Sequence, residues 1–172
     1  MTTERHDVVV IGGGPAGAAT ATLVAAQGHD VVLLERTTEP QFKVGESLIP
    51  ATYWSLERLG VLERMRSSRF TRKHSVQFFT DSGKATAPFF FREVSDHESS
   101  QTWQVLRSEF DQLLLDNAVE KGVEVRRGQT VRDVLVDGER AVGVKVSGNG
   151  GAGRSEERRV GKECRSRWSP YP

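Results

Sequence analysis

Residues 7–35 read DVVVIGGGPAGAATATLVAAQGHDVVLLE, and this stretch decides the fold. The run DVVVI is short and rich in β-branched residues, which is typical of a buried parallel strand. The glycines of GGGPAG follow at once, and small and apolar residues then continue to Gly28, which favours a helix that ends there. The next run, DVVLLE, predicts a second strand. The order of strand, glycine-rich turn, helix and strand indicates a βαβ unit.

Gly12, Gly14 and Gly17 form a GxGxxG pattern, and each glycine has a mechanical task in such a unit. Gly12 allows the tight turn out of the strand, Gly14 lets a pyrophosphate approach the backbone, and Gly17 lets the helix pack closely on the sheet. The helix begins at Pro15 and Ala16, and its amide groups and positive dipole end face the phosphates. We therefore expect this loop to bind a dinucleotide. The alternative is that these glycines serve only as turns.

The second strand ends in Glu35, and Arg36 follows it. An acidic side chain at this place can accept hydrogen bonds from both hydroxyls of the adenosine ribose, and it would repel the 2′-phosphate of NADP. We therefore count both residues with the cofactor site. The fingerprint alone leaves FAD and NAD open, because both cofactors use the same binding logic.

The sequence VGESLIP, residues 44–50, carries Gly45, Glu46 and Ser47. It resembles the GExxxP loop of the flavin-dependent halogenases and of the related geranylgeranyl-reductase-like flavoproteins, and the resemblance covers residues 5–147. In that family the loop lies against the flavin, so the resemblance implies FAD as the cofactor and these three residues as contacts to it. A glycine also permits close approach of the backbone to a flat cofactor. Taken alone, the loop is equally typical of an ordinary helix entry.

The pattern KHSVQF, residues 73–78, is similar to the KxxVxF of these halogenases, in which the lysine is catalytic. The resemblance implies that Lys73 holds hypochlorous acid, an indiscriminate oxidant, as a hydrogen-bonded or chloramine species beside the substrate. From the residues alone, Lys73 is more simply a solvated lysine at the end of an exposed strand.

The rest of the chain completes an α/β fold. Residues 51–66 predict a helix and a second turn with Leu56, Leu59 and Leu62 in the core, and residues 72–91 predict a β-hairpin around the turn DSGK. We expect a Rossmann-like FAD-binding domain: a parallel sheet with helices on both faces and a small antiparallel insertion at about residues 73–91.

The pattern RxxFDxxLxxxA begins at Arg107 and predicts a helix with Phe110, Leu113 and Leu114 on its apolar face. It is similar to a pattern of flavoprotein monooxygenases and halogenases, which implies that Arg107 contacts the ribityl and phosphate region of the flavin. In such proteins the backbone at the position of Val131 meets the adenine ring. Two further strands predict a hairpin with its turn at Asp137 and Gly138.

The chain changes character after the glycine-rich junction at residues 148–153. We expect residues 1–147 to form the FAD-binding domain, and residues 154–172, which carry a net charge of +3, to be artefactual or disordered. That segment, which contains Cys164, resembles translated sequencing-adapter read-through. A basic arm for nucleic acid is the alternative, and mixed charges without a period argue against it.

The sequence leaves several functions open. The first is the N-terminal part of a halogenase-like enzyme that uses reduced FAD and O2, with a halide, a small aromatic or other electron-rich substrate and a flavin reductase as partners. The second is a flavin hydroxylase or a prenyl-chain reductase, and the third is an inactive dinucleotide-binding fragment. Because the WxWxIP segment of halogenases is absent from the sequence, we expect this polypeptide itself to be inactive. Its composition predicts a cytoplasmic protein with no metal, membrane or nucleic-acid partner.

Overall fold

The computed structural model of the chain describes residues 3–148 and 155–160. Within those residues, no helix is both long and apolar enough to span a membrane. Contacts divide the chain into a first unit, residues 1–39 and 118–172, and a second unit, residues 40–117. The elements in chain order are β1 (Thr3–His6), β2 (Val8–Ile11), α1 (Pro15–Ala25), β3 (Val31–Glu35), α2 (Thr52–Leu59), α3 (Leu62–Ser67), β4 (Thr71–Lys73), β5 (Ser75–Val76), β6 (Phe89–Phe90), two 3-10 helices (Phe91–Glu93 and Glu98–Ser100), β7 (Thr102–Gln104), α4 (Arg107–Glu120), β8 (Glu124–Arg127), β9 (Gln129–Asp137), β10 (Arg140–Gly148) and β11 (Ser155–Val160).

Three parallel strands in the order β2, β3, β8 form the centre of the first unit. Val8 pairs with Val31, and Glu35 at the other end of β3 pairs with Arg127. All five residues of β3 are buried, as expected for the central strand of a parallel sheet. The structure thus confirms the predicted βαβ unit, with α1 between β2 and β3.

The two faces of this sheet are covered by different elements. Helix α1 packs on the face that carries Val10. On the other face, Val32 and Leu34 form a buried cluster with Val144 and Val146 of β10. Strands β9 and β10 therefore occupy a face where the sequence analysis expected a helix, because alternate valines give β10 an apolar side of its own.

A second sheet in the first unit has the order β1, β11, β10, β9. Its β9–β10 hairpin confirms the predicted one, but the turn is shifted by one residue. Asp137 pairs with Arg140, so the turn consists of Gly138 and Glu139. A two-residue turn with a glycine at its first position suits the twist of an antiparallel pair.

Residues 155–160 form β11, which runs antiparallel to β10 and parallel to β1. For these six residues the structure corrects the expectation of a disordered tail. The physical reason is that an open strand edge offers unpaired N–H and C=O groups, with which any extended segment without proline can pair. The adapter-like origin of residues 154–172 stays a prediction, and Cys164 lies outside the described residues.

The second unit has its core between α2, α3 and α4. Leu56, Leu59 and Leu62 are buried, as predicted. On α4, Phe110 and Leu114 are buried, but Leu115 takes the place in the core that the sequence analysis gave to Leu113.

The predicted hairpin of the insertion is present but interrupted. Strands β5 and β6 pair antiparallel, and a single bridge between Phe79 and Ala85 lies nearer the turn. The ladder stops before Phe89 because Pro88 has no N–H to donate. Strand β4, which carries Lys73, pairs instead with β7.

One carboxylate joins three elements of the second unit. Glu98 accepts hydrogen bonds from Nε of Arg66 at 2.8 Å and from the hydroxyl of Tyr53 at 3.3 Å. Burial raises the pKa of the Tyr53 hydroxyl, and the negative charge of Glu98 raises it further. These bonds hold α2, α3 and the second 3-10 helix together.

Candidate functional site

The glycine-rich loop of the first unit turns tightly between β2 and α1. Gly12 donates its N–H to the carbonyl of Leu34 at 2.8 Å and has a φ of +98°, which favours glycine strongly. A Cβ atom on Gly17 would lie 1.9 Å from the carbonyl oxygen of Gly12. The loop and the first turn of α1 are therefore in direct backbone contact, as the sequence analysis expected for the third glycine.

The side of the loop at Gly14 is open. A Cβ atom on Gly14 would meet nothing within 4 Å. Gly14 is the N-cap of α1 and has no side chain with which to cap it, and Pro15 and Ala16 begin the helix. Uncapped amides at a helix N-terminus beside open space suit the pyrophosphate of a dinucleotide. The loop therefore fits the ADP half of FAD.

The carboxylate of Glu35 lies against this loop. One oxygen accepts the N–H of Gly13 at 2.6 Å, and the other accepts the N–H and the hydroxyl of Thr37, both at 2.8 Å. Glu35 is 8% exposed, and an acidic side chain at the end of this strand is the group that binds the ribose in dinucleotide-binding folds. The sequence analysis missed Thr37, although a threonine two residues after an acidic strand end is a recognisable signal. Arg36 is exposed beyond the strand.

We predict that Glu35→Gln weakens FAD binding by about tenfold and lowers the free energy of unfolding by about 1 kcal/mol, because an amide supplies one acceptor oxygen where the carboxylate supplies two. Isothermal titration with FAD and urea denaturation measure these effects. Glu39→Gln, at an exposed position nearby, is the matched control and should change neither quantity. Equal FAD affinities for Glu35→Gln and the unchanged chain would contradict the role of Glu35.

Val131 lies in β9, where it pairs with Val146 and packs against the buried valine and leucine cluster. Val131 therefore lies in the first unit, on the side of β9 that faces the parallel sheet. Its contact with adenine stays a prediction.

In the second unit, the loop of Gly45 and Glu46 is held by backbone and by one arginine. Arg107 donates through Nη1 to the carbonyl of Val44 at 2.8 Å, and a Cβ atom on Gly45 would lie 3.0 Å from that nitrogen. Gly45 also has a φ of +106°, a backbone conformation that favours glycine. The carbonyl of Glu46 accepts the N–H of Val105 at 2.7 Å.

Arg107 makes an ion pair with Asp111, one helical turn further along α4. Its Nε and Nη2 atoms lie 2.8 and 3.2 Å from the two carboxylate oxygens, and Lys43 lies 3.4 Å from one of them. Asp111 is buried. Two cations share this one carboxylate, so the cluster keeps an excess positive charge that suits an anionic ligand. The sequence analysis missed Asp111 and Lys43, although the i, i+4 spacing from Arg107 could have indicated the former. The contact of Arg107 with the cofactor stays a prediction.

Lys73 lies beside the same loop. Its amine donates to the hydroxyl of Ser47 at 2.6 Å and to the carbonyl of Leu48 at 3.0 Å. The amine also lies 5.5 Å from the centre of the Phe91 ring, which is buried. The structure thus brings together two predicted residues, Lys73 and Ser47, and adds Leu48 and Phe91, which the sequence analysis did not single out.

Among the described residues, no group of three or more His, Cys, Asp or Glu side chains could hold a metal ion.

Comparisons with known proteins agree with this geometry. A family model described as FAD binding domain matches residues 5–157. The tryptophan 2-halogenase of Chondromyces crocatus is 36% identical over 140 residues, which are 81% of this chain and 26% of that protein. The solved structure of the myxobacterial chondrochloren halogenase is 37% identical to this chain, with a TM-score of 0.81. The match covers 94% of this chain and 38% of the halogenase chain.

A more distant solved structure, the p-nitrophenol 4-monooxygenase of Pseudomonas putida, has a TM-score of 0.72 at 23% identity and shares the fold alone. The chain spans about a quarter to a third of the length of the curated relatives that it matches.

Proposed function

Since this chain belongs to the FAD-binding-domain family and is homologous to flavin-dependent halogenases, we propose that it is the N-terminal, FAD-holding part of a halogenase-like enzyme that uses reduced FAD and O2. The observation that carries the proposal is the position of the Lys73 amine. It is held beside the loop of residues 44–50 by hydrogen bonds to Ser47 and Leu48. A solvated lysine at a strand end would have no such fixed partners.

We assign the ADP half of the cofactor to the first unit. The N–H groups of Gly14, Ala16 and Gly17 hold the pyrophosphate, and Glu35 accepts from the ribose. In the second unit, we assign flavin contacts to the loop at Gly45 and Glu46 and to the positively charged cluster at Arg107. FAD in its reduced form supplies the chemistry that turns oxygen and a halide ion into an electrophilic halogen.

The proposed task of Lys73 is to hold that halogen beside the substrate. A neutral amine can form a bond to the halogen of hypochlorous acid, with loss of water, and can then pass the halogen to an electron-rich carbon that gives up a proton. As an alternative, the ammonium donates a hydrogen bond to intact hypochlorous acid. Both tasks require an amine that is oriented rather than freely rotating.

A flavin hydroxylase on the same fold is the second candidate, because the p-nitrophenol 4-monooxygenase shares this architecture. The two hydrogen bonds that hold the amine of Lys73 favour halogenation over hydroxylation, since hydroxylation does not need the amine. Two other functions are a prenyl-chain reductase and an inactive dinucleotide-binding fragment. In the test below, either of these would give neither brominated nor hydroxylated product.

The proposal includes a halide ion, a small-molecule substrate and a flavin reductase that supplies reduced FAD. It also includes the cytoplasmic location that the sequence predicted. Because the chain spans only part of its relatives, we propose that catalysis belongs to a longer polypeptide that contains these residues.

The test begins with an independent reading of the gene through the codon of Gly153, followed by expression of the full reading frame. We expect that protein, supplied with indole or phenol together with FAD, NADH, a flavin reductase, O2 and bromide, to produce the brominated aromatic compound, detected by mass spectrometry through the bromine isotope pattern. Hydroxylated product with no brominated product would instead support the second candidate.

A further inference from the structure

The loop that carries Ser47 runs along one edge of β7, and β4 runs along the other. Leu48 donates its N–H to the carbonyl of Trp103 at 3.0 Å, and Ser47 forms a bridge with Gln104. On the opposite edge, Lys73 pairs with Thr102. The side chain of Lys73 therefore reaches across β7 to the loop, and the backbone register fixes both ends of that reach.

The amine of Lys73 has two partners that differ in chemistry. The hydroxyl of Ser47 can accept and donate a hydrogen bond, whereas the carbonyl of Leu48 can only accept one. A tetrahedral amine has three positions besides its bond to carbon, and these two oxygens occupy two of them at 2.6 and 3.0 Å. The third position then has a defined direction, and it carries either the third proton or the lone pair.

From this arrangement we infer that Ser47 is a positioning residue for Lys73, because its hydroxyl fixes the direction in which the amine presents its lone pair. The inference rests on the proposed function and deepens it, since the oriented amine is the one that would receive the halogen. It also replaces the sequence-based assignment of Ser47 as a contact to the flavin. Without the hydroxyl, only Leu48 would restrain rotation about the Cε–Nζ bond.

The rate at which the amine reacts with an external reagent tests the inference without any enzymatic activity. This chain, in the absence of FAD, is treated with formaldehyde and cyanoborohydride, and methylation of each lysine is followed by mass spectrometry. Lys84, which is exposed in the hairpin turn, is the internal reference. The iminium formed with formaldehyde keeps only one N–H, so an amine that donates to two acceptors must give up one hydrogen bond, and Lys73 should be methylated more slowly than Lys84 in the unchanged chain.

We expect Ser47→Ala to raise the methylation rate of Lys73 about three- to tenfold, as expected for the loss of one hydrogen bond, with no change at Lys84. Ser47→Thr keeps the hydroxyl and adds a methyl group, so it should retain the slow rate. Near-UV circular dichroism, to which the buried Trp103 contributes, checks that the loop still packs on β7. The affinity of Ser47→Ala for FAD should stay within about twofold of the unchanged chain.

Three results would overturn the inference. The first is an unchanged rate at Lys73 in Ser47→Ala. The second is a raised rate in both variants, which would trace the effect to disruption of the loop. The third is a loss of FAD affinity in Ser47→Ala without any change in the methylation rate of Lys73, which would show that Ser47 contacts the cofactor instead. None of these depends on halogenation, so the inference and the proposed function fail by different measurements.

Discussion

Gly17→Ala abolishes FAD binding by this chain and lowers its free energy of unfolding by about 3 kcal/mol or more, the upper range of overpacking effects. The added Cβ would lie 1.9 Å from the carbonyl oxygen of Gly12. That contact is with backbone, so no side-chain rotation can relieve it. The first turn of α1 must therefore move away from the loop, and the amide groups that face the pyrophosphate move with it. Urea denaturation and isothermal titration with FAD measure the two effects.

Gly14→Ala is the matched control for stability, since it adds the same methyl group three residues earlier, at the N-cap of α1. A Cβ there would meet nothing within 4 Å, and the φ of −74° is acceptable for alanine. We expect a loss of stability below about 1 kcal/mol, the usual scale at an N-cap, together with at least a tenfold loss of FAD affinity. The methyl group would occupy the space that the phosphates need. Normal FAD binding by Gly14→Ala would show that the cofactor does not approach at this place.

The sequence predicted the βαβ unit well because each of its parts has a local cause. Neighbouring residues determine the turn at Gly12, the helix that begins at Pro15 and the buried strand β3. Hydrophobic periodicity and glycine spacing are therefore sufficient to predict these elements. The same is true of the helix that begins at Arg107, whose apolar face differs from the prediction by one residue.

The contacts that could not be predicted are those between distant parts of the chain. Ser47 and Lys73 meet only because both edges of β7 are paired, and no local pattern encodes such a register. The pairing of β11 beside β10 likewise depends on an open sheet edge and leaves no periodic signal in the sequence of residues 155–160. The family resemblance pointed to Lys73 and Ser47 separately, but it did not indicate that they contact each other.

Lys73→Ala, introduced into the full reading frame that carries these residues, should lower the yield of halogenated product by about 10²- to 10⁴-fold, the range for loss of a positioned proton-transfer or hydrogen-bonding group. The oxidation of reduced flavin should continue at the original rate, because Lys73 contributes nothing to the supply of reduced cofactor. Product is measured by mass spectrometry, and flavin oxidation by absorbance. Lys84→Ala removes an exposed lysine from the hairpin turn and should leave both measurements unchanged. An unchanged yield of halogenated product with Lys73→Ala would show that Lys73 has no role in halogen transfer.

Lys73→Arg then separates the two tasks that an amine could perform. A guanidinium keeps its charge and its hydrogen-bond donors, but it stays protonated and offers no lone pair for a bond to halogen. If the amine acts as a nucleophile, Lys73→Arg should be as inactive as Lys73→Ala, with flavin oxidation again intact. If the ammonium only holds hypohalous acid by a hydrogen bond, arginine should restore a measurable part of the product. The hydrogen bond from Lys73 to the Ser47 hydroxyl orients the nitrogen in either protonation state, so the activity of Lys73→Arg is the measurement that decides between the two tasks.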